Sequence, residues 1–108
     1  MITVVNVKND KRPEIIYIGR RMPGRPASPL GNPYKPGKCD GDPIQLYRHW
    51  LWAQMQTDTP ARQELIRLAA INMAGHDILL GCWCAPSRCH GDVVKAAIEF
   101  LTPSFLNN

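Results

Sequence analysis

The chain has 108 residues, 44% of them hydrophobic, and a formal net charge of +4. This length predicts one domain, residues 1–108, with a single modest core, and the hydrophobic content excludes an intrinsically disordered chain. No apolar run approaches the roughly 20 residues of a membrane helix, and the charges of the first twelve residues follow the apolar stretch, the reverse of a secretory signal. We therefore expect a cytoplasmic protein with reduced cysteines and no membrane partner.

The charge is concentrated in one segment. Residues 8–38 hold eight basic and two acidic residues, a net charge of +6, whereas the rest of the chain carries −2. Such a segment is either a solvated basic loop or a surface that faces an anion.

Two strands are predicted first, in "ITVVNV" and "EIIYIG", because both runs are rich in β-branched residues. About six residues separate them, too few for a crossover helix. The two strands therefore either form a hairpin or place the first strand at a sheet edge.

Residues 19–43 form a long loop with six prolines and five glycines. Leu30 and Tyr34 are its candidates for contact with the core. A loop of this length in a small domain is typically functional or disordered.

Two helices follow the loop. The first begins with Asp42 as N-cap and Pro43 at the first helical position, and the second begins at "TP" and ends at Gly75. Trp50 and Trp52 lie two residues apart on the first helix, so they cannot share a face, and one of them is predicted to be exposed.

A third strand, "DILLGCW", and a closing helix, "GDVVKAAIEFL", complete the chain. Predicted inward-facing residues are Leu65, Leu68, Ala69 and Met73 in the second helix, and Val93, Ala97, Phe100 and Leu101 in the last. The order predicts an α/β fold, Rossmann-like in character, with about three or four strands and at least one parallel pair.

The stretch "CWCAPSRCHGD", residues 82–92, follows the third strand and begins the last helix. Loops at the carboxyl ends of parallel strands are common ligand sites, because the helix N-terminus presents free N–H groups there. The same field lowers the pKa of a cysteine thiol.

Three interpretations of this stretch remain open. Zinc would use Cys82, Cys84, Cys89 and His90, with Cys39 as a further donor, but the Cys-x-Cys spacing and the Cys89–His90 adjacency fit a tetrahedral site poorly. Cys82-x₅-Arg88 matches the spacing of thiol phosphatases, although Pro86 removes one amide from the loop. In the structural interpretation, Cys82 is a small buried hydrophobe and Trp83 packs over the turn.

The segments "SPLGNPYK" and "LLGCWCAPSRCHGDVV" resemble the family defined by domain of unknown function 4326, found in bacteria and phages. The resemblance covers nearly the whole chain, with Gly31-Asn32-Pro33 and Cys82–Asp92 as the matching motifs. Neither Cys39 nor Arg88 belongs to the family's motifs, which argues against both the zinc site and the phosphatase loop. The resemblance implies a fold and a site but no activity.

We expect the two motifs to converge on one pocket if the second and third strands are parallel neighbours. The candidate ligand-binding residues are Arg20, Arg21, Ser28, Asn32, Cys82, Cys84 and Gly91. The candidate acid/base residues are His90 and Asp92, and neither of these two is expected to belong to the core. This set predicts a phosphate-bearing ligand, a nucleotide or a nucleic acid, with no cofactor and with catalysis left open. The alternatives are a non-enzymatic, phage-encoded protein that binds a host protein or nucleic acid, and a zinc-stabilised binding module.

Overall fold

The computed structural model describes residues 1–35, 37–85 and 89–106, without the side chains of 103–106. Within these residues, three parallel strands form the sheet. The outer strands β1 (Ile2–Asn6) and β2 (Ile16–Tyr17) flank the central strand β3 (Ile78–Cys82). Ile2 lies opposite Ile78 in the first pair, and Ile16 lies opposite Leu80 in the second. The predicted α/β class is confirmed.

The hairpin alternative for the first two strands is wrong, because β3 lies between β1 and β2. The second strand is also shorter than the predicted run at residues 14–19. One further bond, from the Ile18 N–H to the Gly81 carbonyl at 3.0 Å, continues its ladder. Beyond this bond the Tyr17 ring lies against Gly19, where an added Cβ would be 2.3 Å from the Tyr17 Oη.

Three helices pack with the sheet: α1 (Pro43–Gln54), α2 (Pro60–Met73) and α3 (His90–Leu106). The predicted caps of α1 and α2 are confirmed. Asp42 accepts from the Ile44 N–H at 3.0 Å, and Thr59 accepts from the Arg62 N–H at 3.1 Å. Gly75 follows the end of α2 with φ +90°, the left-handed conformation that glycine adopts without strain.

One core joins the three helices to one face of the sheet. Ile78, Leu80 and Cys82 of β3 point into it, as the alternation of side chains along a strand requires. On the opposite face, the missing side chain of Gly81 leaves room for Val7 and Ile15, whose methyl groups would lie 2.5 Å from an added Cβ.

Two residues predicted to face inward are exposed instead. Phe100 is 59% exposed, because the buried stripe of α3 runs through Val94 and Ile98, rotated by about one residue from the predicted stripe. Met73 is 43% exposed, because it is the last residue of α2 and its stripe extends past the core there. The remaining predicted inward positions are buried or partly buried against the core.

The long loop after β2 is held by specific contacts. Leu30 is fully buried, and its carbonyl accepts the Tyr47 hydroxyl at 2.6 Å. The Ser28 N–H bonds to the Gly19 carbonyl at 3.0 Å. An added Cβ on Gly31 would lie 2.9 Å from that same carbonyl oxygen, so the loop closes on itself only with glycine at this position.

Candidate functional site

A cavity of about 470 Å³ opens where the loops that follow β2 and β3 meet. Because β2 and β3 are parallel neighbours, both loops begin at the same edge of the sheet. The long loop forms one wall. The other wall is formed by the start of α3 and by residues 83–85 and 89 between β3 and α3, here called the cysteine loop, and the start of α1 contributes to the rim. The polar, aromatic and cysteine side chains that line the cavity are Tyr17, Arg20, Asn32, Tyr34, Asp42, Trp83, Cys84, Cys89 and His90.

Four of the residues predicted from the sequence line this cavity: Arg20, Asn32, Cys84 and His90. They come from separate segments, so the fold brings together the two motifs that the sequence singled out.

The other five predicted residues do not line it. Arg21 lies on a separate surface hollow formed by residues 21–27. The Ser28 hydroxyl accepts from the Leu30 N–H at 3.0 Å and belongs to the turn of the loop. Asp92 is exposed in the first turn of α3, outside the cavity.

The last two of these, Cys82 and Gly91, are buried behind the cavity wall. Cys82 points into the core at the end of β3. An added Cβ on Gly91 would lie 2.7 Å from a methyl group of Val4, so this glycine lets α3 approach β1 closely.

The side-chain amide of Asn32 is engaged within the loop. Its oxygen accepts from the Tyr34 N–H at 2.9 Å, and its nitrogen donates to the Pro43 carbonyl at 3.4 Å. This amide joins the Gly-Asn-Pro segment to the start of α1 and thereby shapes the rim of the cavity.

Arg20 is held by one nitrogen of its guanidinium. Nη1 donates to the Asn32 carbonyl at 2.8 Å and to the Tyr34 carbonyl at 3.5 Å. Burial raises the pKa of Cys84, and the Arg20 charge opposes that shift only in part. The same charge adds to the effect of burial on His90, where both lower the pKa. The structure gives Nε and Nη2 no acceptor among the residues it describes, so both can bond to a ligand.

Aromatic side chains make up much of the cavity wall, and sequence reasoning missed Tyr17 among them. The Trp83 Nε1–H donates to the Tyr17 hydroxyl at 2.9 Å, which links the end of β2 to the residue after β3. The guanidinium of Arg25 lies over the Tyr17 ring, 5.2 Å from its centroid. The signal for Tyr17 in the sequence was an aromatic residue at the carboxyl end of a strand.

His90 belongs to both the cavity and the core. Its side chain is buried, 5.1 Å from the Tyr47 ring in an edge-on arrangement. Nε2 lies 2.7 Å from the Ile18 carbonyl, and because a carbonyl only accepts, Nε2 carries the proton. The expectation that His90 lies outside the core is therefore wrong.

Burial lowers the pKa of His90 below its ordinary value, and the nearby Arg20 charge lowers it further. The imidazole is thus neutral at neutral pH, with Nδ1 as an acceptor. Within residues 1–35, 37–85 and 89–102, every fully buried side-chain nitrogen or oxygen has a partner, and no partner is found there for Nδ1. Nδ1 is therefore not fully buried, and His90 is a lining residue of the cavity.

Three thiols meet at the carboxyl end of β3. The Sγ atoms of Cys82 and Cys89 lie 3.1 Å apart, both buried, and the exposed Cys84 interacts with each of them. Cys89 also accepts the Gly91 N–H at 3.3 Å.

Within this cluster the hydrogen bonds favour the thiolate form of Cys82. The hydrogen bond from Cys89, supported by the N–H groups of Cys84 and Ala85, lowers the pKa of Cys82 to about 6 against the effect of burial. The Cys82 interaction raises the pKa of Cys89, and burial adds to that shift. One proton is therefore held between the two sulfurs.

The structure bears on the zinc interpretation of the cysteine stretch but not on the phosphatase interpretation. No group of three His, Cys, Asp or Glu side chains suited to a metal ion occurs in the part of the chain that the structure describes. Cys39 bonds instead to the Lys35 carbonyl in its own turn, at 3.4 Å. Pro86 and Arg88, on which the phosphatase interpretation depends, lie outside the described residues.

The family model for the domain of unknown function DUF4326 matches residues 5–100. The chain belongs to this family. The matched span includes both walls of the cavity, so the site is part of the DUF4326 domain. Comparison with curated proteins and with solved structures finds no match. Among the described residues, no helix of this DUF4326 chain is long and apolar enough to cross a membrane.

Proposed function

We propose that this DUF4326 protein binds a nucleotide in the cavity between its two loops, with the phosphate on Arg20 and the base among the aromatic side chains. The observation that carries the proposal is the position of the Arg20 guanidinium. It is anchored by Nη1 alone, in a cavity that also holds Tyr17, Tyr34 and Trp83. Guanidinium forks match phosphate oxygens, and aromatic faces stack on nucleobases.

Charge around the cavity supports a phosphate ligand. Residues 8–38 carry a net charge of +6, and Arg20, Arg21 and Lys35 are exposed there. A surface of this sign raises the local concentration of anions and speeds their association. Free nucleotides occur in the cytoplasm, where the proposal places the protein.

His90 supplies the acceptor that a base or a sugar hydroxyl requires. Nδ1 of the neutral imidazole accepts hydrogen bonds from the cavity side, whereas Arg20 donates from the opposite wall. The pairing of a donor with an acceptor distinguishes a nucleotide from inorganic phosphate. Nδ1 is also the atom that could remove a proton from a bound ligand. Asp92 has no part in the proposal, because its side chain lies outside the cavity.

Adjacent arginines provide the test. Arg20→Gln removes the cavity guanidinium, and Arg21→Gln removes an equal charge outside the cavity. Titration calorimetry with adenosine and guanosine mono-, di- and triphosphates should show affinity falling about tenfold or more for Arg20→Gln, the loss of one charge-assisted hydrogen bond. Arg21→Gln should stay within about twofold. Equal losses of affinity in the two variants would mean that nucleotide binding depends only on the net charge of the protein and not on the position of Arg20. Thermal melting of both variants verifies that they fold.

The same titration with single-stranded oligonucleotides separates a mononucleotide from a nucleic acid. A mononucleotide makes few phosphate contacts, so its affinity should depend weakly on salt. An oligonucleotide that spans the basic segment should lose affinity steeply as salt increases. Tight oligonucleotide binding with a steep salt dependence would indicate that the ligand is a nucleic acid and not a mononucleotide.

A second candidate, recognition of a partner protein, is favoured by one observation outside the cavity. Trp52 and Phe100 are more than half exposed and lie in edge-on contact, with ring centroids 6.1 Å apart. Arg48 and His49 border the pair, which suits an apolar partner surface with an acidic rim. Trp52→Ala should leave nucleotide affinity unchanged. If no nucleotide or oligonucleotide binds the wild-type protein, this candidate replaces the first.

A further inference from the structure

The three thiols at the carboxyl end of β3 differ in their exposure to solvent. Cys82 is fully buried at the end of β3, Cys89 is 2% exposed on the residue before α3, and Cys84 is exposed. Cys84 and Cys89 both line the cavity. A reagent in the cavity therefore meets Cys84 first and reaches Cys82 last.

The two buried sulfurs are close enough to bond. Their Sγ atoms lie 3.1 Å apart, and a disulfide requires about 2 Å, so small side-chain rotations would bring them together. Cys82 is the last residue of β3 and Cys89 directly precedes α3, and their two sulfurs are in direct contact. The nucleotide proposal assigns no role to this pair.

We propose that Cys82, Cys84 and Cys89 form a redox-active site, in which Cys84 reacts first with a small-molecule disulfide and a Cys82–Cys89 disulfide is the product. The inference is independent of the nucleotide proposal, because it requires only access to Cys84 and the contact between the other two sulfurs.

The first step is attack on the external disulfide. Burial raises the pKa of the Cys84 thiol, but this exposed thiol exchanges its proton with water, and the thiolate that results attacks one sulfur of the reagent. The S–S bond of the reagent breaks. One half leaves as a thiolate and takes a proton from water, and the other half remains bonded to Cys84 as a mixed disulfide.

Two exchanges then complete the reaction. Cys89 attacks the Cys84 sulfur, and the second half of the reagent leaves as a thiol with the Cys89 proton. The Cys82 thiolate next attacks the Cys89 sulfur, and Cys84 leaves as a thiolate that takes a proton from water. Overall, two electrons pass from Cys82 and Cys89 to the reagent, which becomes two thiols, and Cys84 is regenerated.

Peptide mapping of the full-length protein tests the product. The protein is equilibrated with mixtures of reduced and oxidised glutathione, quenched in acid, alkylated and digested with trypsin. Cleavage after Arg67, Arg88 and Lys95 separates residues 68–88, which carry Cys82 and Cys84, from residues 89–95, which carry Cys89. We expect these two peptides to be linked, with the alkyl group on Cys84, and reduced glutathione to reverse the link.

Two variants test the route. Cys84→Ser should slow the appearance of the linked peptides about tenfold or more, because the external disulfide then has to reach a buried sulfur. Cys39→Ser is the matched control and should leave the rate unchanged, because Cys39 lies in the turn at Lys35.

Several results would overturn the proposal. A link between Cys82 and Cys84 within one peptide, a link to Cys39, a disulfide between chains, or no disulfide at the highest proportion of oxidised glutathione each contradicts the proposed product. An unchanged rate in Cys84→Ser contradicts the role of Cys84. The mapping uses the wild-type chain, so it holds even if a variant fails to fold.

Discussion

The imidazole of His90 links the start of α3 to the end of β2, because its Nε2–H donates to the carbonyl of Ile18, the residue that directly follows β2. The same ring packs edge-on against Tyr47, whose hydroxyl holds the Leu30 carbonyl of the long loop. One side chain thus connects the sheet, α1 and the cavity wall. A change at this position affects both the fold and the site.

Replacing His90 should therefore destabilise the protein. His90→Ala removes the bond to Ile18 and leaves a void beside Tyr47, which together should cost about 2–4 kcal/mol in the free energy of unfolding. His90→Gln, which can still donate to the carbonyl, should cost less. Denaturant unfolding measures both. A loss below about 1 kcal/mol for His90→Ala would show that the ring contributes little to the core.

The protonation of His90 gives a second prediction. Burial lowers its pKa below 6.5 in the folded chain, so the unfolded chain takes up this proton first as the pH falls. The stability that neutral His90 contributes is present above pH 6.5 and is lost progressively below it. Cys82, whose pKa is lowered to about 6, loses its contribution over a higher range, from pH 9.0 down to 6.

His90→Gln separates the two effects. Its unfolding free energy should fall less steeply than that of the wild type below pH 6.5, while the two curves stay parallel above that pH. Denaturant titrations at a series of pH values measure this difference. Identical slopes in the acidic range would mean that the folded chain protonates His90 as readily as the unfolded chain.

At the scale of single elements, the connection between α1 and α2 depends on one hydroxyl. Thr59 Oγ1 accepts from the Arg62 N–H at 3.1 Å and lies 2.8 Å from the Gln54 carbonyl, to which it donates. It caps the start of α2 and at the same time satisfies a carbonyl at the end of α1.

Thr59→Ala should consequently lower the unfolding free energy by about 1–2 kcal/mol, the cost of a lost N-cap. Thr57→Ala is the matched control, because Thr57 is an exposed threonine in the same connection. Its unfolding free energy should stay within about 0.5 kcal/mol of the wild type. Comparable losses in the two variants would assign the effect to threonine in this connection rather than to the cap.

The elements that local signals specify could be predicted from the sequence. Asp42, Pro43 and Thr59 mark helix starts by hydrogen-bonding chemistry that needs no tertiary information. The buried face of α3 could not be predicted in the same way. Val93, Val94, Ala97 and Ile98 are all apolar, so two stripes one residue apart are equally plausible until α2 and the sheet select one.

Part of the candidate site could be predicted from the sequence, because the ends of predicted strands indicate which residues come together. Arg20 and His90 follow strand ends, and the topology brings strand ends together. Arg21 and Ser28 lie in the same loop but face away from the cavity, because the path of an irregular loop is set by bonds such as Ser28 N–H to Gly19 that composition does not reveal.

At the scale of the whole molecule, both outer strands depend on β3. In the register described above, β1 and β2 pair with β3 and not with each other. The order β1-β3-β2 could not be predicted from the sequence, because the short turn between the first two strands is compatible with a hairpin.

A fragment of residues 1–76 should therefore not fold, although it contains four of the six elements and both confirmed caps. Without β3 its two strands have no partner, and α1 and α2 lose the core formed by Leu80 and α3. Circular dichroism should show no cooperative melting for this fragment, whereas addition of a peptide of residues 77–108 should restore it. Cooperative melting of the fragment alone would show that the N-terminal part holds a core of its own.

The place of β3 also bears on how the chain leaves the ribosome. Synthesis delivers β1 and β2 first, then the long loop and two helices, and only then the strand that pairs with both. Until β3 emerges, the apolar segment Ile2–Asn6 has no hydrogen-bonding partner in the sheet and its backbone edge is open to other chains. Stalled translation before residue 78 would accordingly leave a nascent chain prone to aggregate, whereas a pause after residue 82 would let the sheet assemble before α3 completes the core.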